Sequence, residues 1–231
     1  MPLFSDAELV AIGLSLKVAS VAALASLPSG IAMGWLLARK RFVGKALVDA
    51  LVHLPLVLPP VVVGYVLLVW MGQNGAVGRF LHEHFGIGFS FRWTGAALAS
   101  AIMGFPLMVR AIRLSIEAAD RRLEQAAATL GAPPWRVFLG ITLPLAWPGI
   151  VAGTILAFAK ALGEFGATIT FVSSIPGETR TIAAELWGLL QTPGGEAGLW
   201  RLAAVSVAIS LGALLLSEWL VRRQRGADED A

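Results

Sequence analysis

The sequence predicts an all-α integral membrane protein with five transmembrane helices, or six if residues 167–175 also cross the membrane. The first observation is composition: 57% of the 231 residues are hydrophobic and 14% are charged, whereas an ordinary soluble domain is about 45–50% apolar and about 25% charged. The second is that apolar residues lie in five long segments, each near the roughly 20 residues that a helix needs to cross a bilayer. The third is that basic residues cluster in alternate connections between these segments.

The five apolar segments are predicted to be the spans of one domain that covers residues 1–231. They are residues 9–38, 46–71, 94–111, 138–162 and 198–221. The first is longer than one crossing needs, so we expect it to tilt or to protrude. The second contains Pro55, Pro59 and Pro60. Because proline removes a backbone donor, we expect a kink there, at a place where neighbouring helices satisfy the freed carbonyl groups.

Lysine and arginine residues between the spans predict the orientation of the chain. They are dense after the first span, between the third and fourth, and after the fifth, at Arg39, Lys40, Arg41, Lys45, Arg110, Arg113, Arg121, Arg122, Arg136, Arg222, Arg223 and Arg225. The alternate connections carry only Arg79, Arg92 and Arg180. Because positively charged connections stay in the cytoplasm, we expect the N-terminus outside, the C-terminus in the cytoplasm and residues 163–196 on the outer side. Residues 167–175 are too few to cross alone, so we expect either a re-entrant turn or a short sixth helix packed within protein.

The segment 113–137, between the third and fourth spans, is predicted to form a cytoplasmic helix-turn-helix. Its apolar residues recur at the three- and four-residue steps of one helix face, at Ile112, Ile116, Ala119, Leu123, Ala127 and Leu130. Gly131 suits a helix C-terminus, and Pro133 or Pro134 suits the first turn of the next helix. An exposed apolar stripe needs a partner. That partner is either a groove in another protein or the lipid surface on which an amphipathic helix lies.

The same segment resembles the membrane subunits of binding-protein-dependent ABC importers. Their mark is Glu-Ala-Ala, three residues, Gly, nine residues, Ile, one residue, Leu-Pro. The residues that match it are Ala126, Ala127, Gly131, Ile141, Leu143 and Pro144. Gln125 stands where the family usually has glutamate, with Glu124 one place earlier. This departure removes the charge at position 125 and keeps the hydrogen-bonding capacity.

The resemblance covers essentially the whole chain and implies the type I ABC importer permease fold. In that fold this element is the coupling helix, which sits in a cleft of the ATPase subunit and transmits its closure to the membrane helices. The expected ATPase-coupling residues are therefore Glu124, Gln125, Ala126, Ala127, Gly131, Trp135, Ile141, Leu143 and Pro144.

The residues give this chain no catalytic role of its own. It has no Gly-x-x-x-x-Gly-Lys-Ser/Thr phosphate loop, so ATP and magnesium are expected on a separate ATPase subunit, and no cofactor is expected here. The chain has no cysteine, its three histidines form no convincing metal site, and no basic tract indicates nucleic acid. A membrane enzyme would need clustered acid and base residues. An ion-coupled carrier or channel, the other rival class, needs no docking helix and tends to show inverted repeats.

The residues after the fourth span indicate the solute. The run Gly163-Glu-Phe-Gly-Ala-Thr168 resembles the oxyanion branch of the importer family. The runs Ile175-Pro-Gly-Glu-Thr179 and Gln191-Thr-Pro-Gly-Gly-Glu196 look most like its molybdate members. The resemblance therefore implies a molybdate permease, with tungstate and sulfate or thiosulfate as alternatives.

The same region supplies candidates for the translocation pathway. A dianion needs backbone N–H groups, hydroxyls or cationic side chains that bind it weakly enough to release it. The candidates are Lys160, Glu164, Gly166, Thr168, Thr170, Ser173 and Ser174. Lys160 and Glu164 are four residues apart and can pair on one helix face. Two plainer interpretations stay open: close helix packing by small residues, and a pair that reaches for the membrane interface.

The resemblance also implies the assembly. The chain is expected to form a homodimer with the pathway at its interface, in the bilayer of the bacterial inner membrane. Its expected partners are a cytoplasmic ABC ATPase dimer and a periplasmic or lipid-anchored oxyanion-binding protein.

Overall fold

A computed structural model describes residues 4–229, without the side chains of Ser217 and residues 221–229. Every regular element in this part of the chain is helical. The helices are α1 (Asp6–Arg39), α2 (Lys45–Val57), α3 (Pro60–Met71), α4 (Ala76–Phe85), α5 (Trp93–Ala118), α6 (Arg121–Thr129), α7 (Pro134–Val137), α8 (Leu143–Leu162), α9 (Gly166–Val172), α10 (Ile182–Leu190) and α11 (Glu196–Glu229). A π-helical turn, Phe138–Thr142, joins α7 to α8.

The centre of the molecule is the packing of α1, α5 and α8. Glycine permits close contact between these helices: a Cβ atom at Gly30 would lie 2.6 Å from Met108 Sδ, and one at Gly153 would lie 2.9 Å from the Met108 carbonyl oxygen. Ile112 and Ile116 of α5 are buried in the same cluster. Since lipid is as apolar as leucine, such small-residue contacts are what holds membrane helices together.

The first span begins at a capping box. The Ser5 hydroxyl accepts a hydrogen bond from the Glu8 backbone N–H, and the Glu8 carboxylate accepts one from the Ser5 N–H. From there α1 runs for 34 residues, about 50 Å at 1.5 Å per residue. This exceeds a hydrocarbon core of about 30 Å, as the predicted tilt or protrusion requires.

The second predicted span, residues 46–71, is broken rather than kinked. Helices α2 and α3 meet at an angle of 111°. Pro59 stands at the break and Pro60 opens α3, where its missing N–H is not needed. No residue of α2 is buried, and an ion pair of 2.9 Å between Asp49 and Arg113 joins this helix to α5.

The other predicted spans are continuous, with longer bounds. Helix α5 extends past residue 111 to Ala118, and the fourth span covers Pro134–Leu162. The apolar part of the last span is Glu196–Leu220; the side chains of Arg222, Arg223 and Arg225 lie outside the described part. By length and composition the described chain has four helices able to cross a membrane, or five with the bent pair.

Residues 167–175 do not form a sixth span. Helix α9 has seven residues, about 10 Å, and Ala167, Phe171 and Val172 on it are completely buried. It packs against α3, where a Cβ atom at Gly64 would lie 2.5 Å from the Ala167 carbonyl oxygen. The short helix packed within protein is therefore the correct one of the two predicted alternatives.

Candidate functional sites

The predicted coupling segment consists of two separate helices, not the continuation of one long helix. Helix α5 ends at Ala118, Ala119 is extended, and the Asp120 side chain caps α6 by accepting from the Arg122 N–H at 2.9 Å. The single apolar stripe predicted from Ile112 to Leu130 is therefore wrong. Its first members lie in the core, because α5 packs on α1, and only its later members reach the surface.

The predicted end of the coupling helix is confirmed in its details. Gly131 has φ +86°, a left-handed conformation that favours glycine. Its N–H donates to the Ala128 carbonyl oxygen, and the Ala132 N–H donates to the Ala127 carbonyl oxygen. These are the two bonds of a Schellman motif. Pro134 then opens α7 at its first turn, as expected.

Glu124 joins the coupling helix to two membrane helices. Its Oε1 lies 2.9 Å from the Arg39 guanidinium at the end of α1. The same oxygen accepts a hydrogen bond of 2.8 Å from the Thr142 hydroxyl, at the base of α8. The Arg39 side chain is 8% exposed and also donates to the Ala119 carbonyl oxygen at 3.2 Å. Arg39 and Thr142 were missed by the sequence analysis, because they are far from Glu124 in the chain.

One exposed face of α6 is apolar and joins no hydrophobic cluster of the described chain. Leu123 is 50% exposed and Leu130 is 88% exposed, and Ala126 lies between them on the same helix face. We call Leu123, Ala126 and Leu130 the coupling face. Gln125 is exposed, and Ala127, behind the coupling face, is half-buried.

The remaining predicted coupling residues divide between surface and core. Trp135 is 59% exposed, and Arg136 lies over its ring at 5.1 Å. Ile141 and Leu143 are half-buried at the base of the fourth span, where Leu143 packs against the central cluster. Pro144 lies in the first turn of α8. Ile141 and Leu143 therefore build the base of a span, whereas Trp135 and Pro144 remain at the surface.

Lys160 and Glu164 form the predicted pair at the end of α8. Lys160 Nζ lies 2.6 Å from Glu164 Oε2; the lysine side chain is 30% exposed and the glutamate 1%. The other carboxylate oxygen of Glu164 accepts from the Ala167 N–H at 3.0 Å, at the start of α9. Neighbouring Ala161 and Leu162 pack against Ala19 and Ala22, so the pair lies near the middle of α1 rather than at its outer end.

The predicted hydroxyl ligands on α9 are engaged by their own helix. The Thr168 hydroxyl donates to the Phe165 carbonyl oxygen at 2.9 Å, and the Thr170 hydroxyl donates to the Gly166 carbonyl oxygen at 2.8 Å. A Cβ atom at Gly166 would lie 2.8 Å from Pro60 Cβ. For Gly166, Thr168 and Thr170 the contacts favour helix packing over solute binding.

Ser173 and Ser174 lie in the turn after α9. Ser173 is exposed and has φ +63°. The Ser174 hydroxyl accepts from Arg180 Nε at 3.2 Å, and Arg180 also lies 3.4 Å from Glu185. Lys160 is the one cationic residue of the predicted set. It pairs with Glu164, and among the described residues no hydrogen bond joins it to Ser173 or Ser174.

Comparison with solved structures identifies the fold. The fold superposes with a TM-score of 0.74 on a bacterial ABC transporter involved in the import of the acidic polysaccharide alginate, at 18% identity, covering 95% of this chain and 80% of that chain. The corresponding TM-score for the inward-facing MetNI methionine ABC transporter is 0.69, at 15% identity, covering 92% and 94%. At such identities the likeness shows the fold alone, which is that of type I ABC importer permeases.

The chain belongs to the family of binding-protein-dependent transport system inner membrane components, which matches residues 30–226. It is a transport subunit and not itself an enzyme. It is 62% identical over 223 residues to the molybdenum transport system permease protein ModB of Escherichia coli (strain K12), covering 96% of this chain and 97% of that protein. It is 58% identical over 218 residues to ModB of Haemophilus influenzae, covering 94% and 95%. The sulfate transport system permease protein CysT of E. coli is 37% identical over 185 residues, covering 79% and 65%.

Proposed function

We propose that this chain is the permease subunit that carries molybdate across the inner membrane, with ATP hydrolysed by a separate subunit. The observation that carries the proposal is the 62% identity to a molybdenum permease over 96% of the chain. The sulfate permease CysT is more distant, at 37%, so sulfate or thiosulfate is the second candidate. Tungstate has the same charge and tetrahedral shape as molybdate and is the third.

The coupling segment supplies the mechanical link in this proposal. A partner ATPase that binds ATP and magnesium would receive the coupling face in its cleft. When the ATPase dimer closes, α6 moves, and the contacts of Glu124 with Arg39 and Thr142 move the ends of α1 and α8 with it. Alternating access follows: the pathway opens outward when ATP binds and inward after hydrolysis. An external binding protein delivers the oxyanion.

Two copies of the chain are proposed to enclose the pathway. Helices α2 and α3 carry exposed large apolar residues, among them Leu51, Tyr65 and Trp70, so their free faces need lipid or a second copy. A symmetric dimer is the commonest closed assembly, and it gives one coupling face to each of two ATPase subunits. In this arrangement the N-terminus is outside and the C-terminus is in the cytoplasm.

Uptake of labelled molybdate tests the proposal. Cells with and without this chain are given nanomolar molybdate, with an excess of sulfate or tungstate as competitor. We expect uptake that requires the chain, resists sulfate and is blocked by tungstate. Competition by sulfate as strong as that by tungstate would support the sulfate alternative. Uptake that is unchanged without the chain would contradict molybdate as its solute.

A further inference from the structure

A polar cleft lies at the end of the molecule remote from the coupling segment. It has a volume of about 560 Å³ and lies between the end of α3, helix α4 and the residues that precede α5. Its polar lining includes Gln73, Asn74, Arg79, His82, Ser90 and Arg92. Helix α5 has 26 residues, about 39 Å, and separates the cleft from α6. In the proposed orientation the cleft therefore opens on the outer side.

The two arginines of the cleft have no carboxylate partner among the described residues. Arg79 donates to the Asn74 carbonyl oxygen at 3.4 Å, and Arg92 makes no side-chain hydrogen bond or ion pair with any described residue. By contrast, Arg113 and Arg201 each lie within 2.9 Å of a carboxylate. The lining contains one carboxylate, Glu83, against two guanidinium groups. The cleft therefore has a positive balance of charge.

Ser90 adds a second and independent observation. The residue is 8% exposed, and its Oγ is buried without a hydrogen-bond partner among the described residues. An unsatisfied buried hydroxyl costs about 1–3 kcal/mol, so the Ser90 hydroxyl would gain from a hydrogen bond to a molecule in the cleft. The next residue, Phe91, has φ +58°, an uncommon conformation for a residue with a side chain. Phe91 therefore turns the backbone between Ser90 and Arg92, both of which line the cleft.

Close packing fixes the walls of the cleft. A Cβ atom at Gly78 would collide with the Gly72 carbonyl oxygen, and one at Gly95 would collide with the Phe89 carbonyl oxygen. Glycine at these positions brings α4 onto the end of α3, and residues 88–92 onto the start of α5. The polar groups are thus held by packed backbone.

We propose that this cleft receives the tetrahedral oxyanion when the binding protein releases it. Guanidinium groups and amides donate hydrogen bonds, and Arg79 and Arg92 attract a dianion through charge. Glu83 and the width of the cleft keep the binding weak, which passage onward requires. The inference rests on the proposed function, since it takes an oxyanion as the solute, and it assigns a site for that oxyanion before the membrane pathway.

The test replaces both arginines by glutamine in cells that contain the partner ATPase and the binding protein. We expect R79Q/R92Q to reduce the initial rate of labelled molybdate uptake about tenfold, as the loss of two charge-assisted contacts implies. Stimulation of ATP hydrolysis by the binding protein in the purified complex is expected to stay normal. R79K/R92K keeps the charges and is expected to retain most of the uptake. R41Q, on an exposed arginine at the coupling end of the molecule, is the matched control.

The possible results separate this inference from the proposed function. If the unaltered chain imports molybdate and R79Q/R92Q imports it equally well, the receiving site is wrong and the function stands. If R79Q/R92Q loses the ATPase stimulation together with uptake, the arginines serve docking of the binding protein, and the site is again wrong. If the unaltered chain imports no oxyanion, both the function and the site are wrong. Assembly with the ATPase, measured by size-exclusion chromatography, shows that each variant is folded.

Discussion

Glu124 lies one residue before position 125, where the family usually has glutamate. The residue at the usual place, Gln125, is exposed, whereas Glu124 contacts the nearly buried Arg39 and the buried Thr142. These contacts lie inside the chain. At the scale of the residue, the negative charge of Glu124 therefore stabilises the attachment of α6 to α1 and α8. In the proposed docking, Gln125 would offer the ATPase hydrogen bonding without charge.

Glu124→Gln should lower the stability of the purified chain. The change leaves Arg39, whose side chain is 8% exposed, without its ionic partner, and we expect a loss of about 1–3 kcal/mol. The midpoint of thermal unfolding in detergent measures it. Gln125→Glu is the matched control, with an expected change within about 0.5 kcal/mol because the side chain is exposed. A larger loss from Gln125→Glu than from Glu124→Gln would contradict this assignment.

Among the predicted pathway residues, Lys160 is the one that could attract the oxyanion by its positive charge, and removing that charge tests this role. If it attracts the oxyanion, Lys160→Gln reduces uptake about tenfold, equivalent to ~1.4 kcal/mol, and Lys160→Arg retains most of it. Initial rates of labelled molybdate uptake, normalised to protein in the membrane, give the comparison.

The buried partner of Lys160 requires a separate control. Lys160→Gln leaves Glu164, which is 1% exposed, as an uncompensated buried charge, and this can impair folding by itself. The double variant Lys160→Gln/Glu164→Gln removes both charges and should restore the amount of folded protein without restoring uptake. Normal uptake by the double variant would show that the pair is structural.

At the scale of the element, turn chemistry was easier to predict than helix breaks. Gly131 and Pro134 mark the end of α6 and the start of α7, because backbone conformation at these positions depends on the residue itself. The break at Ala119 carries no comparable signal. It arises because Ile112 and Ile116 are held in the core while α6 is joined to Arg39 and Thr142 by Glu124. Only Asp120, a residue common at helix N-termini, could have indicated it.

The bend in the second span was also only partly predictable from the sequence. Three prolines predicted a kink between residues 46 and 71, and the chain turns by 111°. Proline removes hydrogen bonds and so permits a bend, but it does not set the angle. The angle depends on where α3 packs, and Gly64 on α3 lies against Ala167 of α9, about a hundred residues later in the chain. A sequence without that contact could form a mild kink from the same prolines.

Leu130→Asp tests whether the coupling face binds the ATPase. Leu130 is 88% exposed, so a charge there should leave the fold intact and prevent burial in an apolar cleft. We expect the ATPase to be lost when the tagged permease is purified, with ATP-driven uptake abolished. The matched control is Val43→Asp, at a fully exposed residue outside the coupling segment. Retention of the ATPase by Leu130→Asp would favour the lipid-surface interpretation of α6.

At the scale of the molecule, the contacts that join the two ends of the chain were not predictable. Arg201 of α11 lies 2.8 Å from Glu8 of α1, and the Ser15 hydroxyl accepts from the Ile182 N–H at 2.7 Å. Each contact joins residues more than 160 positions apart, and no local pattern connects them. The long apolar helices and the turn that ends α6 were predictable, because apolar length and local turn residues report on them directly. The placement of Lys160 and Glu164 near the middle of α1 was not.

Orientation in the membrane is the prediction for the whole molecule, and the absence of cysteine makes it testable without removing native thiols. The basic residues Arg39, Arg121 and Arg136 lie at the coupling end, so this end is expected in the cytoplasm. A cysteine at Ala7 or His84, both exposed at the opposite end, should react with a membrane-impermeant maleimide in intact cells. A cysteine at Val43 should react only after the membrane is disrupted. The reverse pattern would place the coupling face outside, where no ATP is available, and would contradict the coupling mechanism itself.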